Sequence, residues 1–277
     1  HSWKSAVPSS PAAEGDAAMG SYLRLRQVCL AAPHLEASTQ LLQSLLGLEE
    51  CHRDPAVAAY GLENVLLTIG PDRFLEVVCP TQPGTAAGRF MEGTGGLGGY
   101  MLIFDCDDAQ ARRDRITGMG VRLAHHIDRP LYQGFQYHPK DCRATFLEFD
   151  NTVGGEDVTA AYWPAGDHWQ DHVKTDVTRA LLGVEVLTPD PAGLAAHWSR
   201  IMDGPASGGD GRHGIRVDAQ EIAFLSAPGA GRERLDALVF SVVGAADILH
   251  RARCMGLETR ADAFLLGGCW MKLVEAG

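Results

Sequence analysis

The stretch ATFLEFDN, residues 144–151, decides the fold. Ala144, Phe146 and Leu147 are what a buried strand requires, yet Glu148 stands among them. A carboxylate is costly to bury unless a cation, a metal or good hydrogen bonds compensate it. The same signature occurs earlier as DRFLEVVCP, residues 72–80, where Glu76 again follows Phe-Leu. Side chains of an extended strand alternate faces, so each glutamate points with the residues two before and two after it. Both carboxylates are therefore expected to face one shared space.

Outward from these two strands the chain repeats itself. LRLRQVCLAA (23–32) reads as a strand and PHLEASTQLLQSLLG (33–47) as a helix stopped by Gly47. Strands are expected at 48–53, 59–69 and 73–79, the last two parted by the turn GPDR. TQPGTAAGRFMEGTGG reads as a loop. GGYMLIFDC (98–106) is then a strand, DDAQARRDRITGMG (107–120) a helix, and strands follow near 121–127, 132–138 and 143–149. Each unit is β-α-β-β-β, with Gln27 mapping onto Tyr100 and Glu76 onto Glu148 at offsets of 73 and 72 residues. GTGGLGG (93–99) precedes a strand and lacks the lysine and the strand-to-helix setting of a phosphate loop, so it reads as the crossover into the second unit.

These residues, RQVCLAAPHLEASTQLLQSLLGLEE with FLEVV, repeated as GGYMLIFDCDDAQARR with HPKDCRATFLEFD, resemble the vicinal oxygen chelate superfamily. That superfamily includes glyoxalases, methylmalonyl-CoA epimerases, extradiol dioxygenases and bleomycin-resistance proteins. The resemblance implies an α+β fold of paired βαβββ modules whose curled mixed sheets surround a cavity. It sets Gln27 and Glu76 of the first module opposite Tyr100 and Glu148 of the second. It implies Gln27, Glu76 and Glu148 as metal ligands, with Tyr100 where metal-binding relatives usually carry histidine. Such an oxygen-rich set suits a divalent ion, Mg or Mn before Zn, Ni or Fe. His138 is a candidate for a missing imidazole or a general base, and Glu76 or Glu148 for the group that shuttles a proton.

Each residue also has a plainer reading. A lone strand glutamate is more often solvent-facing than functional, and two copies at matching offsets shift the balance toward a site. Tyr100 reads most simply as a packing residue with its hydroxyl bonded, and His138 beside Pro139 as a turn-flanking residue. Two functions follow from the resemblance. One is a metal-assisted lyase or isomerase working through an enediolate on a small substrate with vicinal oxygens. The other is a metal-free binding protein of the bleomycin-resistance type.

Beyond Asn151 the pattern erodes. Residues 1–20, rich in Ala, Ser and Pro, read as a flexible leader, 21–151 as the domain with the candidate site and 152–177 as an aromatic-bearing linker. Residues 178–277 hold a second, eroded pair of modules, giving four module-like units in two domains. There the ligand positions map to Gly183, Phe224, Asp236 and Lys272, which is no metal set and lacks the iron triad of extradiol dioxygenases. A formal charge of -11 and pI near 5.4 argue against nucleic acid or an anionic membrane as partner. The longest apolar runs are strand-sized, and seven scattered cysteines without a CxxC pair fit a reduced, cytoplasmic setting. The expected partner is a small molecule, with a homodimer possible and intramolecular pairing of the modules the simpler arrangement.

Overall fold

The computed structural model describes residues 21–227 and 231–277; the leader expected over 1–20 lies outside the described residues. The first module contains β1 (Leu23–Ala31), α1 (Leu35–Leu46), β2 (Glu49–His52), β3 (Leu62–Ile69) and β4 (Arg73–Pro80). After α2 (Ala86–Thr94), the second comprises β5 (Met101–Cys106), α3 (Ala109–Gly118), β6 (Leu123–Arg129), β7 (Tyr132–Tyr137), the short α4 (Pro139–Cys142) and β8 (Phe146–Thr152). Then come β9 (Thr178–Thr188), α5 (Pro191–Met202), β10 (Ala206–Gly209), β11 (Arg212–Val217), β12 (Gln220–Ser226), β13 (Arg234–Val242), α6 (Ala245–Cys254), β14 (Ala263–Leu266) and β15 (Cys269–Glu275). No helix among the described residues is long and apolar enough to cross a membrane.

Local chemistry sets the element ends. Gly47 takes the left-handed conformation (φ 64°) and returns its N–H to the Gln43 carbonyl, which stops α1. Asp108 and Asp190 accept from the third residue of α3 and α5, at Ala111 (2.8 Å) and Gly193 (2.9 Å). One expectation needs correcting: 86–94 is a helix, capped by the Thr85 hydroxyl and ended at Gly95 (φ 65°). Its glycines hide a helical turn that capping and the contact of Ala87 with the sheet make possible.

The first sheet has eight strands in the order β2-β3-β4-β1-β5-β8-β7-β6. β1 runs parallel to β4 and antiparallel to β5, and β5 runs parallel to β8, so the β1/β5 seam relates two equivalent halves. The second sheet, β10-β11-β12-β9-β13-β15-β14, repeats this order with seven strands. In its last module, residues 255–262 carry turns and an isolated bridge where a fourth strand would lie.

One face of each sheet meets helices, and a single apolar core joins the two. Leu42, Leu45 and Leu46 of α1, Ile116 of α3, Trp198 of α5 and Ile248 of α6 all belong to it. Each such buried side chain contributes about 1.5–3 kcal/mol. Polar ties reinforce the join: the Trp198 indole donates to the Cys142 carbonyl (2.7 Å), and Arg251 donates to the Leu45 carbonyl at the end of α1 (3.2 Å).

Candidate functional site

Alternation turns the opposite face of the first sheet into the wall of a cavity of about 450 Å³. Gln27 and Cys29 of β1, Glu76 and Val78 of β4, Met101 and Ile103 of β5, and Glu148 beside Phe146 of β8 line it, with Asn64 of β3 and Tyr132 and Gln136 of β7. Glu148 and Gln27 are each only 2% exposed, and Glu76 is half-buried on the same face. The structure thus brings Gln27, Glu76, Glu148, Tyr100 and His138 to one cavity.

Neutral donors hold both carboxylates. Glu76 accepts from the Gln27 amide (Oε2, 2.8 Å) and the Asn64 amide (Oε1, 2.7 Å). Glu148 accepts from the Tyr132 hydroxyl (Oε1, 2.6 Å) and the Gln136 amide (Oε2, 2.7 Å). Gln136 faces Glu148 directly in the antiparallel β7/β8 register. Behind them Asp150 lies 3.0 Å from the Tyr132 hydroxyl, and the Tyr162 hydroxyl donates to Gln27 Oε1 (3.0 Å). Polar side chains therefore reach the seam from both glutamates, Gln27 and Tyr162 from Glu76 and Tyr132 and Asp150 from Glu148.

Burial raises the pKa of both carboxyls, and their hydrogen-bond donors pull against it. For Glu76 those donors are the Asn64, Cys29 and Gln27 side chains. Glu148 has two, and the charge of Glu76 raises it further. A charge on Glu76 therefore favours the protonated form of Glu148. Cys29, beside Glu76 on the cavity floor, is held as a thiol by burial and by the nearby carboxylates.

The segment between the sheets closes one end of this face. Tyr162 stacks on Phe74 (centroids 5.0 Å apart), and Trp169 meets Phe74 edge-on at 5.2 Å. Arg26, buried where β1 bulges, lies against the rings of Phe74, Tyr162 and Trp169 at 4.9–5.5 Å.

Two expected roles change. The seam pairs Gln27 with Ile103 and Cys29 with Met101, so the counterpart of Gln27 in the second module is Met101, not Tyr100. Tyr100 packs between Phe90 and Phe146 at the cavity wall. His138 caps α4, its Nδ1 accepting from the Lys140 N–H (3.1 Å). That bond takes up Nδ1 as an acceptor. In the second sheet, register makes Ala223, not Phe224, the counterpart of Glu76, since Ala223 pairs with Glu185 as Glu76 pairs with Cys29.

The residues at the ligand positions do not fit a resident divalent metal. Every carboxylate oxygen of Glu76 and Glu148 already accepts from a neutral side chain, and the Gln27 oxygen is turned to Tyr162. The fourth position offers the thioether of Met101, a soft donor unsuited to hard ions. Among the described residues no three His, Cys, Asp or Glu side chains are grouped to hold a metal.

Sequence reasoning missed Asn64, Tyr132, Gln136, Met101 and Tyr162. Period-two alternation from Glu148 through the β7/β8 hairpin would have found Gln136, and the antiparallel seam would have found Met101. Tyr162 carries no local signal, because its place depends on the path of an irregular segment.

No family model matches the chain. It is 25% identical over 135 residues to the ethylmalonyl-CoA/methylmalonyl-CoA epimerase of Cereibacter sphaeroides, a span of 46% of this chain and 96% of that protein. Among solved structures, a mutant of 4-hydroxymandelate synthase from Streptomyces coelicolor superposes with TM-score 0.66 at 13% identity, covering 92% of this chain and 93% of that one. The Mn(II)-bound glyoxalase from Novosphingobium aromaticivorans gives 0.63 at 14% identity, over 92% and 83% of the two chains. Two sheets built on the same module order, and neighbours that match over both, give this chain the fold of the two-domain, glyoxalase-like proteins of the vicinal oxygen chelate superfamily.

Proposed function

We propose that the cavity binds a small carbonyl compound and exchanges a proton on the carbon beside the carbonyl, with Glu76 and Glu148 as the two exchanging groups. One observation carries this reading: two glutamates on strands either side of the β1/β5 seam line one cavity, each fixed in place by its own pair of neutral donors. An ionised Glu76 removes the proton and a protonated Glu148 supplies one. Delivery to the opposite face of the carbon is epimerisation, and delivery to the oxygen gives the enediol of an isomerisation. The proton gained by Glu76 balances the one given up by Glu148, and solvent exchange resets the pair. The apolar wall of Ile103, Met101 and Phe146 keeps water from the carbanion. The epimerase named among the similar proteins supports this class of chemistry.

A second reading is a binding protein without turnover, favoured by the fact that each carboxylate oxygen already has a hydrogen-bond partner. Proton NMR in D₂O separates the two. A panel of 2-substituted thioesters and α-hydroxy ketones is incubated with the protein, and loss of the α-proton signal is followed. Exchange that falls at least about 100-fold in Glu76→Gln and in Glu148→Gln supports the proton-transfer reading. A compound that binds and keeps its α-proton favours the binder.

A further inference from the structure

We propose that Tyr162 is a positioning residue that excludes divalent cations from the cavity, by fixing which atom of the Gln27 amide faces Glu76. An ion shared by Gln27 and Glu76 needs the amide oxygen on the Glu76 side. The structure has the reverse: Nε2 donates to Glu76 Oε2 (2.8 Å) while Oε1 accepts from the Tyr162 hydroxyl (3.0 Å). Turning the amide over would face oxygen against oxygen at Glu76 and set the amide nitrogen against the Tyr162 hydroxyl, whose proton would then have to leave Gln27 for Asp150 at 3.5 Å.

Tyr162 is itself held. It is 2% exposed, stacked on Phe74, and has the Arg26 guanidinium 4.9 Å from its ring centroid. Among the described residues its only other acceptor within reach is Asp150 Oδ2, at 3.5 Å. The hydroxyl proton therefore stays on Gln27, and the amide nitrogen serves Glu76 in place of a cation. The segment that joins the two sheets in this way decides what the cavity accepts: an organic ligand meeting amides and carboxyls. The inference rests on these hydrogen bonds alone and is tested without reference to the reaction proposed above.

The test is titration of the full chain with Mn²⁺, free ion being read by electron paramagnetic resonance. The wild type is expected to bind Mn²⁺ only weakly. Tyr162→Phe frees the amide to rotate and is expected to bind Mn²⁺ about tenfold more tightly. Met101→His with Tyr162 intact stays at the wild-type level, and the double variant binds most tightly. Near-stoichiometric Mn²⁺ in the wild type that is lost in Glu76→Gln overturns the proposal. So does a Tyr162→Phe protein that is folded by circular dichroism and binds no better. Should Tyr162→Phe not fold, Met101→His decides: wild-type weakness supports the lock, and a tenfold gain refutes it.

Discussion

Gly134→Ala tests whether the geometry around Glu148 is as constrained as its hydrogen bonds imply. Gly134 lies on β7 opposite Asp150, and a Cβ there would sit 2.6 Å from Glu148 Oε1, 3.0 Å from the Tyr132 hydroxyl and 3.1 Å from Tyr132 Cε1. The carboxylate would have to withdraw by about 0.8 Å to reach the ordinary contact of 3.4 Å. Elsewhere such a tip would swing aside. Here Glu148 is buried, its other oxygen is tied to Gln136, and Tyr132 is stacked on Trp163 (4.8 Å). The 2.6 Å bond from Tyr132 is therefore expected to break, leaving an enclosed carboxyl with one donor, at a loss of about 1–3 kcal/mol. In a chain of this size that lowers Tm by about 2–4 °C per kcal/mol, read by calorimetry beside a urea titration. A strand glycine with free space would instead gain about 0.4–1 kcal/mol from alanine through the unfolded chain. An alanine variant as stable as the parent, or more so, would refute the account of this pocket.

Two further expectations concern stability. Trp198→Phe removes the 2.7 Å bond to the Cys142 carbonyl and leaves that acceptor buried at the join of the two sheets. The urea midpoint should fall by the equivalent of about 1–3 kcal/mol, and an unchanged midpoint would show the tie to be idle. Glu148→Gln should change how stability depends on pH. The folded pKa of Glu148 is raised by burial, so its favourable contribution is complete below the ordinary carboxyl value of 4.5 and is lost as pH rises through the folded value. Glutamine has no such loss, so the stability of the variant relative to the parent should grow over the range of pH above 4.5. A difference that stays flat across that range would contradict a raised pKa.

Much of this was legible in the sequence because strand chemistry has a short period. Phe-Leu-Glu in two strands identified the two halves, and Gly47 and the GPDR turn marked where elements stop. What was not legible depended on register or on long-range contact. Offsets counted along the chain put Tyr100 opposite Gln27, but loop lengths differ between modules, and only the β1/β5 pairing reveals Met101. Likewise α2 is drawn from residues of loop-like composition and exists because Ala87 and Phe90 pack on the sheet. The donors that hold the carboxylates come from β3, β7 and the joining segment. No local pattern relates them to the strands that carry the glutamates.

The second sheet explains why the carboxylates of the first call for a chemical reason. It has the same strand order, yet the position of Glu148 is Lys272, that of Gln27 is Gly183 and that of Glu76 is Ala223. Lys272 there pairs with Glu185 at 2.8 Å in a partly exposed ion pair, worth at most about 1 kcal/mol. The architecture therefore forms without acids at the positions of Glu76 and Glu148 and without the neutral donors that hold them; its inward acid, Glu185 at the position of Cys29, is neutralised by Lys272. Enclosing Glu148 and Glu76 is, by contrast, a standing cost to the first sheet: both carboxyls are raised by burial, and satisfying them occupies Asn64, Gln27, Tyr132 and Gln136. Apolar residues of similar volume would hold such a wall as well or better. Stability alone gives no reason to keep four polar side chains in service of two acids, whereas proton transfer in a closed cavity needs both the acids and their fixed orientation.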